Sequence, residues 1–277
     1  MRKLLAANFH ALFKSRVFWT MLAATALVSA YVVLANYNAE VQASENPLYL
    51  NDVFFTVYQF IGVILAATTS LIVGVEYSDG TIRNKLVVGH RRSEVYLAAL
   101  VTNLTATLLF AAVHGVVTFA LGSLLLEPSQ MPAEQLLALV GLAALGALAL
   151  DALFTGLAMN CESRAVSGVA SLLLALALVV AASTIGNKLQ EPELSYDGVV
   201  ITENGIQYGD LVSNPAYVDA NQRPVYEFVY DLLPTGQLIQ ISAGDLSRAD
   251  RWPAFSASFL ILAAGGGCLA FRRKNLR

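Results

Sequence analysis

The stretch that decides the fold is GVEYSDGTIRNKLVVGHRRSE, residues Gly74 to Glu94, a basic segment between two long apolar runs. The flanking runs, at about 53–75 and 97–126, each exceed the roughly 20 helical residues needed to cross about 30 Å of hydrocarbon. Four more such runs lie at about 17–36, 135–160, 165–184 and 254–271. The sequence therefore predicts an all-α membrane protein with six transmembrane helices in a single domain, residues 1–277.

The composition and the charge distribution fit a chain surrounded by lipid. Hydrophobic residues make up 56% of the 277 residues and charged residues 13%, whereas soluble proteins average roughly 25% charged residues. Thirteen of the seventeen Lys and Arg residues precede the first run or follow the second, fourth or sixth. Because positive residues in short loops are retained in the cytosol, we expect both termini and loop 76–93 to be cytosolic. The protein is then a multi-pass protein of a plasma membrane, and we expect a bacterial one.

The same asymmetry excludes other classes of function. An outside that is acidic and an inside that is basic reflect membrane topology, so the net charge of −3 does not indicate nucleic-acid binding. Cys161 and Cys268 have no metal-ligand spacing, so we expect reduced thiols and no metal site.

Two segments outside the runs have structure of their own. Residues 4–13 place Leu and Phe at helical spacing, which predicts an N-terminal amphipathic helix at the inner interface. A cytosolic extension of the first span is the alternative.

The 185–253 segment, which the charge rule places outside, is too long for a plain loop and predicts a small external α+β segment. Strands 199–203 and 206–208 flank Asn204-Gly205, which favours a hairpin turn. Pro224 can begin a helix that Pro234 interrupts, and Thr235 can cap a second short helix. We expect this pair to dip back into the outer bilayer face as a re-entrant segment around Pro234 and Gly236.

The basic segment itself predicts a separate short helix over 81–88. Asp79-Gly80 can end the second span, Thr81 can cap the short helix, and Gly89 can end it. Ser93 with Glu94 can then cap the third span. Ile82 and Leu86 form an apolar ridge beside positive charge, which suits a groove on a soluble partner. The alternative is that the charges only fix topology and meet anionic headgroups.

The run Glu76-x-x-x-Gly80-Thr81-x-x-Asn84-Lys85-Leu86, followed by Gly89, Arg91-Arg92 and Tyr96, resembles the permease subunits of type-2 ATP-binding-cassette exporters. The segment Asp231-Leu232-Leu233-Pro234-Thr235-Gly236-Gln237 before the last span and the six-span architecture extend this resemblance. In that family the segment after the second helix docks on an ATPase. The resemblance implies that Glu76 anchors the second helix, that Gly80 and Thr81 shape the turn, and that Asn84, Lys85 and Leu86 contact the ATPase. The basic residues beside them are Arg83, Arg91 and Arg92.

The chain has no Gly-x-x-x-x-Gly-Lys-Ser/Thr phosphate loop, so we expect a transport subunit that is not an enzyme. The resemblance implies a separate ATPase subunit, which would bind ATP and Mg, and a second permease copy or a related permease. The expected substrates of export are antimicrobial peptides, drugs or other amphipathic molecules.

Four polar residues inside the spans are candidates for a substrate pathway. These are Gln59, Asn103, His114 and Asp151, and ionisable groups within hydrocarbon are functional candidates by default. Helix packing and buried hydrogen bonds are the alternative for each. A proton-coupled secondary transporter that uses Asp151 and His114 is the alternative function, and an intramembrane hydrolase that needs Asp151 is a third.

Overall fold

A computed structural model describes residues 1–43, 47–161, 163–202 and 205–274. Its helices, in chain order, are α1 (Arg2–Lys14), α2 (Arg16–Ala43), α3 (Leu50–Phe54), α4 (Ile61–Ser78), α5 (Thr81–Val87), α6 (Arg92–Leu125), α7 (Ala133–Asn160), α8 (Arg164–Gln190), α9 (Arg223–Leu232), α10 (Pro234–Ser242) and α11 (Trp252–Arg273). A 3₁₀ turn, Thr56–Phe60, joins α3 to α4. The strands are β1 (Leu194–Tyr196), β2 (Val199–Thr202), β3 (Gly205–Tyr208) and β4 (Leu211–Ser213).

Within the described residues, six stretches are long and apolar enough to cross a membrane. They are Arg16–Ala39, Leu50–Ser78, Arg92–Leu125, Ala133–Asn160, Arg164–Gln190 and Trp252–Arg273. The predicted six-span fold is therefore confirmed. The fifth span, α8, extends six residues beyond its predicted end at Thr184. Its last turns bury Gly186 and Leu189 against α9 and α10.

The bundle has two chemically different ends. An even number of spans brings both termini to one end, together with the α4–α6 connection and the α7–α8 turn, and we call this the basic end. The opposite end carries residues 47–49, 126–132 and 191–251, and we call it the acidic end. There the chain entering α3 is tied to the α6–α7 connection, since Leu50 N donates to the Glu127 carbonyl at 2.9 Å.

Helix α7 lies at the centre and contacts α4, α6, α8, α10 and α11. Its crossing with α11 depends on glycine, because a Cβ on Gly267 would lie 2.8 Å from the Cα of Gly156. Small residues allow this close backbone approach in membrane helices. The glycines of the last span thus include one with a clear packing role.

Helix α1 is separated from α2 by Ser15, whose backbone is extended (φ −71°, ψ 124°). Its buried residues Leu4, Asn8 and Leu12 share one face, and α1 contacts α6 more extensively than α2. The N-terminal segment is therefore a helix of its own and not a continuation of the first span. Its position at the membrane interface stays a prediction.

At the acidic end the strands form antiparallel pairs, β2 with β3 and β1 with β4. The predicted β2 and β3 are confirmed, although Gly205 belongs to β3 and pairs with Thr202, so it is not a turn residue as predicted. The other expected turn residue, Asn204, lies outside the described residues. The β1–β4 pair, which lengthens the hairpin, was not predicted.

Helices α9 and α10 follow the hairpin. Pro224 lies in the first turn of α9, as predicted. Helix α10 begins at Pro234 with Leu233 in the capping position, so the predicted cap at Thr235 is wrong. Gly236 is required here, because a Cβ would collide with the Tyr230 carbonyl oxygen. Helix α10 is packed among α7, α8 and the 3₁₀ turn, while its entry into a bilayer stays a prediction.

Candidate functional site

The short helix α5 at the basic end begins at a glycine-dependent turn. Helix α4 ends at Ser78, and Gly80, with φ +66°, occupies the position before α5. Thr81 is the first helical residue and its side chain makes no capping bond, so the predicted cap at Thr81 is wrong. Glycine takes this position because it adopts positive φ without a steric penalty.

The end of α5 follows the prediction. Gly89 has φ +98°, its N–H bonds to the Leu86 carbonyl at 3.0 Å, and His90 N–H bonds to the Lys85 carbonyl at 3.3 Å. These two bonds form a Schellman motif, which closes a helix around a left-handed glycine.

Helix α6 then starts at Arg92. Its first turn is capped by Glu94, whose carboxylate accepts from Arg91 N–H at 3.2 Å. Ser93 lies inside the helix, so its predicted capping role is wrong, whereas the predicted placement of Glu94 in the first turn is confirmed.

The predicted apolar ridge of α5 faces the protein's own core. Ile82 is 1% exposed and belongs to a buried cluster with Leu4, Val95 and Tyr96. Leu86 packs on the same cluster. The expectation that this ridge fits a groove on a partner is therefore wrong, because α1 and α6 already occupy it.

The opposite side of α5 is exposed, and sequence reasoning missed its apolar part. Val87 and Val88 are 81% and 79% exposed, and Arg83, Asn84 and Arg91 are exposed around them. We call these five residues the outward α5 surface. The signal in the sequence was the pair of valines directly before Gly89, since the last residues of a capped helix need not follow its buried face.

Lys85, a predicted contact residue, is bonded inside the protein to Glu76, the predicted anchor of the second helix. Lys85 Nζ donates to Glu76 Oε2 and to Asn8 Oδ1, both at 2.8 Å. The Lys85 and Glu76 side chains are only 11% and 18% exposed. Glu76 lies in the last turn of α4, so this junction ties α5 to α4 and α1.

Arg92 is also engaged. Its guanidinium donates to the Lys274 carbonyl, and Lys274 Nζ donates to Tyr77 Oη at 2.9 Å and to the Met159 carbonyl at 3.3 Å. These bonds hold the end of α11 against α4, α6 and α7. Among the predicted basic residues of the loop, Arg83 and Arg91 thus face outward, while Lys85 and Arg92 support the fold.

Asp151 is fully buried in α7. Its Oδ1 accepts from the Thr69 hydroxyl of α4 at 2.5 Å, and the Thr107 hydroxyl of α6 also interacts with it. Among the described residues Oδ2 has no hydrogen bond within normal distance. The carboxyl group therefore lies where three spans meet.

His114 is held by other residues. Its Nε2 faces the Phe54 carbonyl at 2.9 Å and its Nδ1 faces Ser29 Oγ at 2.8 Å, with the Phe54 and Tyr58 rings beside it. A carbonyl only accepts, so Nε2 carries the proton. In the described part of the chain His114 shares no hydrogen-bond partner with Asp151, which argues for a structural His114 that fixes α3 on α6.

The other two pathway candidates also lie apart. Asn103 Nδ2 donates to Thr155 Oγ1 at 2.9 Å and joins α6 to α7. Gln59 lines a polar cavity of about 310 Å³ at the acidic end, together with Tyr230 and Arg248. Burial, with the neighbouring Asp245 carboxylate adding to it, raises the pKa of Tyr230 to about 12, so this hydroxyl stays protonated. Among the residues that the structure describes, these four candidates have separate partners and do not line one continuous pathway.

Sequence reasoning missed a buried polar network behind that cavity. Asp231, 1% exposed, accepts from Arg248 Nε at 3.1 Å and from Trp252 Nε1 at 3.4 Å. Gln240 bridges the pair, since its Nε2 contacts Asp231 at 3.2 Å and its Oε1 accepts from Arg248 at 2.6 Å. We call these four residues the Asp231 network, and it joins α9, α10 and the start of α11.

A second chain of bonds extends the network. Gln237 Nε2 donates to the Asp231 carbonyl at 2.6 Å, and Ser256 Oγ donates to Gln237 Oε1 at 2.7 Å. The motif Asp231 to Gln237 was noted in the sequence, but nothing there paired it with Arg248.

The family model for the ABC-2 family transporter protein matches residues 4–182. The chain belongs to this family. The match runs from α1 into α8 and includes loop 76–93, whereas the hairpin, the Asp231 network and the last span lie beyond it. No curated protein matches the chain. As a member of a transporter membrane family with six spans, the chain is a multi-pass transport protein.

Proposed function

We propose that this ABC-2 family chain is the membrane-spanning permease subunit of an ATP-driven exporter, and that a separate ATPase binds the outward α5 surface. Arg83 and Arg91 supply positive charge there, and Val87 and Val88 supply apolar area that would otherwise face water at a highly charged end. Exposed apolar residues rimmed by charge are typical of protein–protein interaction sites. This surface is the observation that carries the proposal.

The surroundings of α5 suit transmission of force. One side of the helix is buried against α1 and α6, and the Lys85 junction ties it to α4. A push on the outward surface would therefore move the basic ends of α4 and α6 without first deforming a loose loop. Hydrolysis of ATP with Mg would take place in the partner, and both termini and α5 would be cytosolic.

The transporter would contain two permease chains, two copies or this chain with a related one, in a bacterial plasma membrane. Apolar side chains on α2 and α8 are widely exposed, among them Leu27 at 71% and Val180 at 64%, which supports contacts with lipid or a second permease. The exported substrate would be an amphipathic molecule such as an antimicrobial peptide or a drug, released at the acidic end.

The decisive test is charge reversal on the outward surface. Arg83→Glu with Arg91→Glu should reduce co-purification of the ATPase subunit at least tenfold and abolish stimulation of its ATP hydrolysis by the permease. Membrane insertion and thermal stability should be unchanged, because both side chains are exposed. These two positions test docking more specifically than Arg92 does, because replacing Arg92 would also release the end of α11.

Arg272→Glu with Arg273→Glu is the matched control, since it makes the same charge change at exposed residues of the same end. We expect it to retain the ATPase. Unchanged co-purification of the Arg83/Arg91 variant, or equal loss in both variants, would refute docking through α5.

A further inference from the structure

The polar cavity of about 310 Å³ at the acidic end lies where four elements meet. Its lining includes Gln59 from the 3₁₀ turn before α4, Ser183 from α8, Tyr230 from α9 and Gln240 from α10. We call it the acidic-end cavity. Its volume is at the lower limit of the roughly 300–1,000 Å³ that is usual for ligand pockets, so its size suits a small molecule.

Tyr230 is the most tightly placed group of this cavity. The residue is 5% exposed, and two glycines make room for it. A Cβ on Gly186 would lie 2.6 Å from the Tyr230 hydroxyl, and a Cβ on Gly236 would collide with the Tyr230 carbonyl oxygen. This hydroxyl lines the cavity and has no hydrogen-bond partner within the described residues. Because a buried hydroxyl without a hydrogen bond is costly, its partner must be a molecule inside the cavity.

Four further polar side chains of the lining also lack a hydrogen-bond partner in the part of the chain that the structure describes. Gln59 and Ser183 are half-buried, and Asn187 and Gln190 are exposed. Amides and hydroxyls each both donate and accept hydrogen bonds. With Tyr230, the cavity therefore offers five neutral groups of both kinds to its occupant.

The charged groups of the lining are already bonded inside the protein. Arg248 Nε donates to Asp231 at 3.1 Å, and Arg223 Nε donates to Glu227 at 3.0 Å. The Asp245 carboxylate is exposed, and its Oδ1 accepts from the Ser247 hydroxyl at 2.7 Å.

This arrangement decides against a charged occupant. A phosphate or a carboxylate, free or on a lipid headgroup, would find both arginines paired and the Asp245 carboxylate close by. A cation would find one exposed carboxylate, whose attraction is weakened by water. An uncharged molecule with several hydroxyls meets neither obstacle.

We propose that the acidic-end cavity binds a small neutral polyol, such as the ring of a hexose. The hydroxyls of a hexose both donate and accept, as do the five unbonded groups of the lining. The proposal goes beyond coupling to an ATPase, and it concerns a ligand other than the amphipathic cargo, because the unbonded groups offer hydrogen bonds and not an apolar surface. An occupant would also join the end of α8 to α9 and α10.

The test is saturation-transfer difference NMR on the full-length permease in nanodiscs of phosphatidylcholine, with empty nanodiscs as background. Glucose, galactose and mannose are titrated separately. Tetrahydropyran, the same ring without hydroxyls, is the control for hydrogen bonding, and acetate and ethanolamine are the controls for charge. We expect saturable binding of at least one hexose with a Kd of about 1 mM or tighter, and no saturable binding of the three controls.

Two variants remove single groups from the cavity. Tyr230→Phe deletes only the hydroxyl, and Gln59→Leu replaces the amide at similar size. Each should weaken binding about fivefold, as expected for the loss of one hydrogen bond. Both should leave the melting temperature unchanged, because no described residue is bonded to either group.

The matched controls make the same changes outside the cavity lining. Tyr226→Phe lies one turn earlier on α9, and Gln130→Leu replaces an exposed glutamine at the same end. Both should weaken binding less than twofold. Absence of saturable binding by all three hexoses, equal binding of tetrahydropyran, acetate or ethanolamine, or equal losses in test and control variants would overturn the proposal.

A second arm identifies the source of the hexose ring. Nanodiscs are prepared with a diacylglycerol glycolipid that carries the same hexose. Retained binding of the free hexose would assign the cavity to a soluble sugar, whereas its displacement would assign the cavity to a glycolipid headgroup, and both results support a polyol site. The assay contains neither ATPase nor nucleotide, so its outcome is independent of coupling through α5.

Discussion

At the acidic end the decisive charges are buried, whereas at the basic end the α5 helix presents them to solvent. Asp231 and Arg248 have side chains 1% and 16% exposed and share bonds with Gln240. Arg83 on α5 and Arg91 directly before α6 are exposed. Both ends therefore contain arginine, but its role differs with its exposure. Arg248 joins helices of its own chain, whereas Arg83 and Arg91 are available to another chain.

The Lys85 junction lies between these extremes. Lys85 is as shielded as Arg248, at 11% against 16% exposed, but its partner Glu76 is 18% exposed whereas Asp231 is 1% exposed, so the carboxylate of this junction retains contact with water. If burial determines the role, the loss of stability should be large for Arg248, modest for Lys85, and negligible for the outward arginines. The predictions below run from the largest expected loss of stability to the smallest.

The largest effect should come from Arg248→Ala. It leaves the buried Asp231 carboxylate without its ion-pair partner, which typically costs about 3–5 kcal/mol and should lower the melting temperature by roughly 10 °C. A thiol-reactive dye can report unfolding, because Cys161 and Cys268 are free and half-buried.

Arg223→Ala is the control for this prediction, since Arg223 forms a more exposed pair with Glu227 at 3.0 Å and such pairs contribute roughly 0–1 kcal/mol. Adding Asp231→Asn to Arg248→Ala should recover part of the loss, because the unpaired charge is removed. Equal melting temperatures for the two single arginine variants would contradict the contrast between the ends.

A smaller effect is expected where α5 ends. Gly89→Ala forces a side chain into a left-handed conformation (φ +98°), at a cost of about 1 kcal/mol or somewhat more, which should lower the melting temperature by a few degrees. Gly141→Ala is the control, because Gly141 is helical and open space surrounds its Cβ position. A Gly89→Ala protein as stable as Gly141→Ala would show that the Schellman turn does not constrain α5.

The turns around α5 were predictable because their causes are local. Asp79-Gly80 and Gly89 indicate chain reversal through backbone conformation alone, and the structure has both glycines at positive φ. The burial of Ile82 was not predictable in this way, since the other members of its buried cluster, Leu4 and Val95 among them, lie in other helices. Helical spacing predicted that an apolar side exists but not what covers it.

The Asp231 network shows the same limit at the acidic end. The residues of its central ion pair are 17 positions apart, and Arg248 lies in the α10–α11 connection, which carries no recognisable motif. Inside the spans, hydrophobic length placed Asp151 within the membrane, but only the packing of α4 on α7 identifies Thr69 as its partner. Composition therefore predicted the spans, and long-range contacts determined what their polar residues do.

The smallest of these effects should be Lys85→Met, which tests the intermediate case. Because Glu76 is 18% exposed and can be hydrated once its partner is gone, the loss should stay near the roughly 1 kcal/mol upper end for exposed pairs, and the melting temperature should fall by about 3 °C. Local opening should nevertheless increase, because Lys85 Nζ is the atom that joins α5 to both Glu76 and Asn8. Hydrogen–deuterium exchange should therefore accelerate several-fold in peptides covering residues 81–90 and stay unchanged in α7.

Lys14→Met, at an exposed residue of α1, should leave both regions unchanged. If Lys85→Met instead lowered stability as much as Arg248→Ala, the junction would belong with the buried charges of the acidic end, and α5 would be a fixed part of the core.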